Sequence, residues 1–233
     1  MKKVILYIHS KKQQFSKLPL FDLLKNEEFS SKEKLSSTLP IMSHFIMSFG
    51  DLNKYVLKYT EPKNELEKVV NTHAKEDQDH WKWFIDDLKT LQINNIATLP
   101  EHLMYLWDST TSSVRELTYT LIGEIYNSSA KQRLAIIEAM EATGNVMFKV
   151  LAPLANDVKL KYNKELVFCG NTHLSHETGH TIGSEQRLFD NIAFNTNELE
   201  LIKQKIDIVF EAFTQFINLL FKLIHYKLLQ NNK

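Results

Sequence analysis

An all-helical bundle is the fold class that this sequence predicts, on three observations. Only six glycines and five prolines interrupt 233 residues. Leu, Lys, Glu and Asn are abundant. Apolar residues recur at intervals of three and four, the repeat of one face of a helix. A first short helix is expected from Leu18 to Asn26. A longer one follows from Ile41 to Tyr59, with Pro40 near its first turn, where a missing N–H goes unused. Pro62 separates it from the stretch Asn64 to Leu91, where Leu66, Val69, Val70, Phe84, Leu88 and Leu91 share a stripe. Asn94, Asn95 and Pro100 then break the pattern. The helix expected over Ser112 to Tyr126 rests on Val114, Leu117, Thr118, Leu121 and Ile125. The next, Ala130 to Leu151, rests on Leu134, Ile137, Phe148 and Leu151, and Pro153 ends it. A sixth long helix is expected from Tyr162 to His180, then a turn at Gly183. A final helix from Glu198 to Leu229 carries the core stripe Phe213, Phe216, Ile217, Leu220 and Ile224. The sum is a single domain over 1–233 with about seven helices, in which 1–16 form a loosely attached segment.

Composition narrows the function classes. Twenty-eight basic residues balance twenty-eight acidic ones. That balance argues against a chain specialised for nucleic acid or for an acidic membrane. Cys169 is the only cysteine, so no internal disulfide forms, which fits a reducing, cytoplasmic setting. The apolar run Val4 to Ile8 is shorter than the roughly 7–15 residues of a signal-peptide core. The longest apolar region, Ile206 to Tyr226, is interrupted by Asp207, Glu211 and Lys222. It therefore reads as an amphipathic helix of a soluble protein without a membrane span.

The informative residues are polar ones on stripes that ought to be apolar. His73 and His80 continue the line of Val69, Phe84 and Leu88. At about 100° per residue, positions 73, 77 and 80 fall within roughly 60° of one another, with Glu76 at the border of that sector. Two imidazoles and up to two carboxylates, Glu76 and Asp77, thus share one inward face. The pattern returns downstream, where His173, Glu177 and His180 stand at i, i+4 and i+7 in line with Leu166. Between them Glu141 sits on the stripe of Leu134, Ile137 and Phe148, beside the small neighbours Ala142 and Gly144. Burying such groups without partners costs a few kcal/mol each, so they must pair, bind water or bind metal. Imidazole with carboxylate on facing helices is the ligand mixture for iron, manganese or zinc in a bundle core. One or two metal ions per chain are expected.

These segments resemble the haem-oxygenase-like di-metal oxidases, relatives of TenA and haem oxygenase. The resemblance rests on His44-Phe45, the stretch His73 to Trp81, Glu141-Ala142-Thr143-Gly144, and Phe168 to Thr181 with its H-x3-E-x2-H. It runs from Leu18 to the C-terminus. It implies a seven-helix bundle holding a two-iron site that uses dioxygen to oxidise a small amino-acid-derived or fatty-acid-like substrate. By position it carries metal ligation to His80, Glu141, His173, Glu177 and His180. His73 stands where the pattern commonly has a carboxylate, and Glu76 or Asp77 is left to supply the acid. Glu177 replaces a frequent aspartate. A single-metal site therefore stays open. Asp77, Asn145 and His176 are candidates for supporting hydrogen bonds, and a homodimer is implied by the resemblance alone.

Three rivals follow from the same residues. His176-Glu177-Thr178-Gly179-His180 is a formal H-E-x-x-H, in which both histidines bind zinc and Glu177 is the base of a peptidase. The longer form of that motif needs a histidine where Gln186 stands and a methionine turn downstream, whereas the last methionine is Met147. A metal-free TenA-like hydrolase would use Cys169 as nucleophile. A helical protein that binds a small polar ligand would keep the histidines without catalysis. Haem would need a histidine on the first helix, and His9 precedes the first helix read from the pattern.

Overall fold

The structure, a computed structural model, describes residues 1–93, 98–180 and 192–231, without the side chains of 177–180 and 231. The described residues form α-helices and no strand. Among the described residues ten α-helices stand where about seven are expected: α1 (Lys2–Phe15), α2 (Pro19–Lys25), α3 (Ser31–Asp51), α4 (Glu65–Asp77), α5 (His80–Thr90), α6 (Leu99–Trp107), α7 (Ser112–Tyr126), α8 (Ala130–Tyr162), α9 (Asn171–His180) and α10 (Thr196–Asn231).

Each departure from the sequence reading has a local cause. The segment expected to be loosely attached is α1, and its Val4, Ile8 and Phe15 are buried in the core. The third helix begins ten residues before the expected Ile41, because Ser30 and Glu33 form a reciprocal capping box. Pro40 consequently lies inside α3, and the chain continues beyond Asp51 as a π-helical turn over Leu52–Leu57. Pro153 likewise fails to end α8. Its ring is exposed while Ala152 and Leu154 are buried on either side, so the carbonyl it leaves without an N–H can turn to water. The helix ends instead at Asn163, in the left-handed conformation at φ 51°. α6 follows a second capping box, at Thr98 and Glu101, and buries none of its residues.

Two breaks shape the interior. The stretch 64–91 is two helices, parted at Gln78 and Asp79. There α3 passes so close that a Cβ on Gly50 would lie 2.8 Å from the Trp81 ring and 3.0 Å from the Gln78 carbonyl oxygen. The expected helix from Tyr162 is a non-helical segment up to Gly170, and α9 begins only after it. The expected turn at Gly183 lies outside the described residues.

α8 and α10 are the long axes of the bundle. α8 is buried on almost every face from Arg133 to Val158 and packs against α1, α3, α4, α9 and α10. By length and composition α10 is apolar enough to cross a membrane. In this fold it lies along α1, α2, α3, α7 and α8, with Ile206, Val209, Phe213, Phe216 and Leu220 turned inward.

Candidate metal centre

The site begins at the break between α4 and α5. A new helix starting at His80 puts residues 80, 84 and 87 on one face, and His80, Phe84 and Asp87 are its buried residues. His80 Nδ1 lies 3.8 Å from Asp77 Oδ1, across the break. Trp83 stacks flat on the His80 ring, with centroids 4.5 Å apart. The sequence pattern gives Trp83 only helix packing or a subunit contact, and gives Asp87 no role. Their signal is the i+3 and i+7 spacing from His80 along α5.

Asp87 organises the segment before α9. Its carboxylate accepts hydrogen bonds from the backbone N–H of Val167 at 2.7 Å and of Cys169 at 2.8 Å. Burial pushes this carboxyl above its ordinary range, and the backbone donors of Cys169, Val167 and Phe168 pull the other way. The turn it holds is tight. A Cβ on Gly170 would meet the Leu166 carbonyl oxygen at 2.1 Å, so only glycine fits.

That turn aims one carbonyl. His173 Nδ1 lies 2.9 Å from the Phe168 carbonyl oxygen. A carbonyl only accepts, so the ring proton sits on Nδ1 and the Nε2 lone pair is left for another partner. His173 is 2% exposed. Burial, foremost, lowers its pKa to about 4, so the ring is neutral at neutral pH. A neutral imidazole whose Nδ1–H is fixed by a carbonyl is the usual state of a metal-binding histidine. The His173 ring stands 4.7 Å from that of His80 and 3.9 Å from that of Phe148.

The carboxyls come from α4 and α8. Asp77 is 5% exposed and shares a side-chain hydrogen bond with Glu141, itself buried on α8. Burial pushes the Asp77 carboxyl well above its ordinary range, and the charges of Glu141 and Glu76 add to the shift. Two carboxyls in such contact share a proton or a cation.

His80, Glu141 and His173 line a cavity of about 80 Å³, room for roughly five or more water-sized spheres. The remaining wall is apolar: Phe15 from α1, Met42, Phe45 and Phe49 from α3, Met147 and Phe148 from α8, and Phe213 and Phe216 from α10. Trp81 lines both this cavity and an outer cleft with Asp51, Lys54, Asp79 and Lys82 at its rim.

No protein-family model matches the chain, and neither does any curated protein. The reading therefore rests on the chain's own geometry.

Among the described residues, no three His, Cys, Asp or Glu side chains form a group able to hold a metal ion. What is assembled is His80, His173 and the Asp77–Glu141 pair, donors of the kind that iron, manganese and zinc accept. The side chains of Glu177 and His180, on the later part of α9, lie outside the described residues. His73 is buried on α4, one turn before Asp77. Glu76 is exposed, which corrects the choice left open on that helix. Asp77 is the inward acid, because it stands four residues from His73 and so continues its face.

The remaining candidates have other surroundings. Asn145 accepts a hydrogen bond from Lys12 Nζ at 2.7 Å. His176 is exposed, with its ring 6.1 Å from that of His80 and 5.4 Å from that of Trp83. Cys169 is fully buried, and burial followed by the Asp87 charge pushes its thiol well up, the opposite of an activated nucleophile. His9 lies on α1 and is exposed. His44 packs edge-on against Trp107 and Tyr119, away from the imidazole pair.

Proposed function

We propose that this chain is a non-haem iron oxidase or oxygenase of haem-oxygenase-like fold, acting with dioxygen on a small organic substrate. The observation that carries the reading is the Asp77–Glu141 pair: two buried carboxyls in contact beside His80, at the wall of an apolar cavity. A cation in place of the shared proton would turn that costly contact into a ligand set. His80, Glu141 and His173 would hold the metal with Asp77, and Glu177 and His180 would complete a second position. Iron so bound would supply the reduction of dioxygen. Zinc and manganese suit the same donors, and the substrate decides between them only through activity.

The chain's own residues do the rest. His173 stays neutral through burial and is aimed by the Phe168 carbonyl, so its Nε2 needs no deprotonation before binding. Asp77 and Glu141 would hold the cation through their carboxylates. The phenylalanines of α1, α3 and α10 exclude water and take the apolar part of a substrate. Trp81 stands between this chamber and the outer cleft, on the route by which a substrate would enter.

Anaerobic ferrous titration of wild type, His173→Ala and Asp77→Asn tests the reading. The expected result is stoichiometric iron in wild type, with an absorption change on admitting oxygen that both variants lose. No specific iron uptake, or a tight zinc that depends on His176 and not on His173, overturns it.

A further inference from the structure

α6 buries none of its nine residues, yet Leu99, Leu103, Met104 and Trp107 on it are all large, apolar and exposed. Polar bonds hold it to the start of α7 instead: Arg115 donates to the Leu106 and Asp108 carbonyls, and the Thr111 hydroxyl donates to that of Tyr105. Edge-on rings join α6 to the rest of the surface, with His44 of α3 lying 5.4 Å from Trp107 and 6.4 Å from Tyr119 of α7. From Tyr119 the exposed face continues along α7 through Ile122 to Tyr126, at i, i+3 and i+7. Arg133 donates to the carbonyls of Val56 and Ser128, so the π-helical turn that carries the exposed Tyr55 ends where α7 ends.

The area of this face exceeds that of an ordinary monomer surface. Tyr55, Trp107, Tyr119 and Tyr126 are each between 58% and 76% exposed. At about 150–250 Å² for such a side chain, they and the α6 residues leave roughly 800 Å² of apolar surface in water. The largest patch of a typical monomer is about 300–600 Å², whereas one side of a stable protein–protein interface is about 800 Å². Trp, Tyr and Met are the side chains that such interfaces collect. Charge indicates the partner. Asp108 and Glu116 stand at the α6 end of the face and Lys54 and Lys58 at the Tyr55 end, all four exposed. A face that is acidic at one end and basic at the other is complementary to itself when turned about a two-fold axis. Gly123 is an independent mark on the same surface. It lies inside α7 between Ile122 and Tyr126, and a Cβ there would meet nothing within 4 Å. The packing of a single chain thus gives no reason for a residue that weakens a helix, whereas its bare backbone lets a second helix approach closely.

We propose that a second copy of this chain docks on this face, forming a two-fold dimer in which the two copies of α7 cross at Gly123. α6 of each copy then covers Tyr55 and Tyr126 of the other, and the Lys54 end of each meets the Asp108 end of the other. The assignment uses no residue of the metal centre and stands or falls apart from it.

Sedimentation equilibrium of the full chain tests it, on wild type, Met104→Glu, Gly123→Gln and Leu6→Glu. Wild type should weigh twice the 27.2 kDa of one chain. Met104→Glu places a charge in the apolar part of the face and should weaken association at least about tenfold. Gly123→Gln should do the same with its helical circular dichroism unchanged, since the new side chain has open space in a single chain. Leu6→Glu, at an exposed position of α1, which packs against α8 and α10, should leave the dimer as it is. A monomeric wild type, a dimer that survives Met104→Glu or Gly123→Gln, or one that Leu6→Glu also dissolves overturns the proposal. So does a wild type that floats with phosphatidylcholine vesicles as a monomer. Should Met104→Glu lose its helical circular dichroism, Gly123→Gln alone decides.

Discussion

Two walls of one cavity are held in different ways. On the α5 and α9 side, His80 and His173 are positioned by backbone: Asp87 pins Val167 and Cys169, Gly170 closes the turn, and the Phe168 carbonyl fixes the His173 ring. On the α3 and α10 side, Phe45 lies edge-on to Phe213 at 5.5 Å and tilted over Phe216 at 5.7 Å, with no polar constraint between them. Hydrogen-bond geometry is steep in distance and angle, whereas apolar contact is nearly isotropic. The polar wall therefore tolerates almost no change of shape. The aromatic wall can repack around a different guest.

The sharpest way to break the polar wall is Gly170→Ala. A Cβ 2.1 Å from the Leu166 carbonyl oxygen forces the turn open, with a stability loss of about 3–5 kcal/mol in urea denaturation and loss of the proposed iron binding. A loss below about 1 kcal/mol would show that the turn is not under this constraint.

Acid comes next. His173 has a folded pKa of about 4 against 6.5 in an unfolded chain, so between those values the unfolded chain holds the proton and the folded one does not. Its contribution is complete above pH 6.5, falls as pH drops, and is gone below about 4, a total of roughly 3 kcal/mol. In metal-free protein, urea midpoints at pH 7 and pH 5 should differ by about 2 kcal/mol from this group, and His173→Gln should flatten the slope. An equal slope in the variant would assign the acid sensitivity elsewhere.

Asp87→Asn is smaller. One of the two backbone N–H groups would then face an amide NH₂, at a cost of about 2 kcal/mol. Iron affinity should fall with it, since the Phe168 carbonyl loses its anchor, while the packing of α10 stays intact. Retained iron affinity would show that His173 is aimed by something other than this chain of contacts.

Phe213→Leu, on the aromatic wall, should have the least effect: about 1–2 kcal/mol of stability and unchanged iron binding, with a wider cavity that admits bulkier apolar ligands. A change in iron affinity here would mean that the two walls are coupled.

Much of this architecture can be read from the residues alone. The helical class, the stripes of α7, α8 and α10, and the inward His73, His80, Glu141 and His173 all follow from a period near 3.6, which is a local property of the chain. The second and last helices fall within two residues of the expected bounds. The N-terminal helix was not foreseen, because Val4, Ile8 and Phe15 make a stripe too sparse to stand out against its lysines. The capping boxes at Ser30 and Thr98 are written in the sequence as S-x-x-E and T-x-x-E, and they set the starts of α3 and α6.

What the sequence by itself determined is periodic: which residues form helices, and which polar groups face inward against the hydrophobic rule. What only the tertiary structure decided is phase and approach. The break at Gln78 and Asp79 lies where α3 passes closely at Gly50, and the helix that starts beyond it carries Trp83 and Asp87 to the site. The His173 tautomer depends on a turn tied down by a carboxylate more than eighty residues away in the chain. Periodicity is carried by neighbours three and four residues apart, whereas phase and tautomer are set by contacts between segments that meet only in the folded chain.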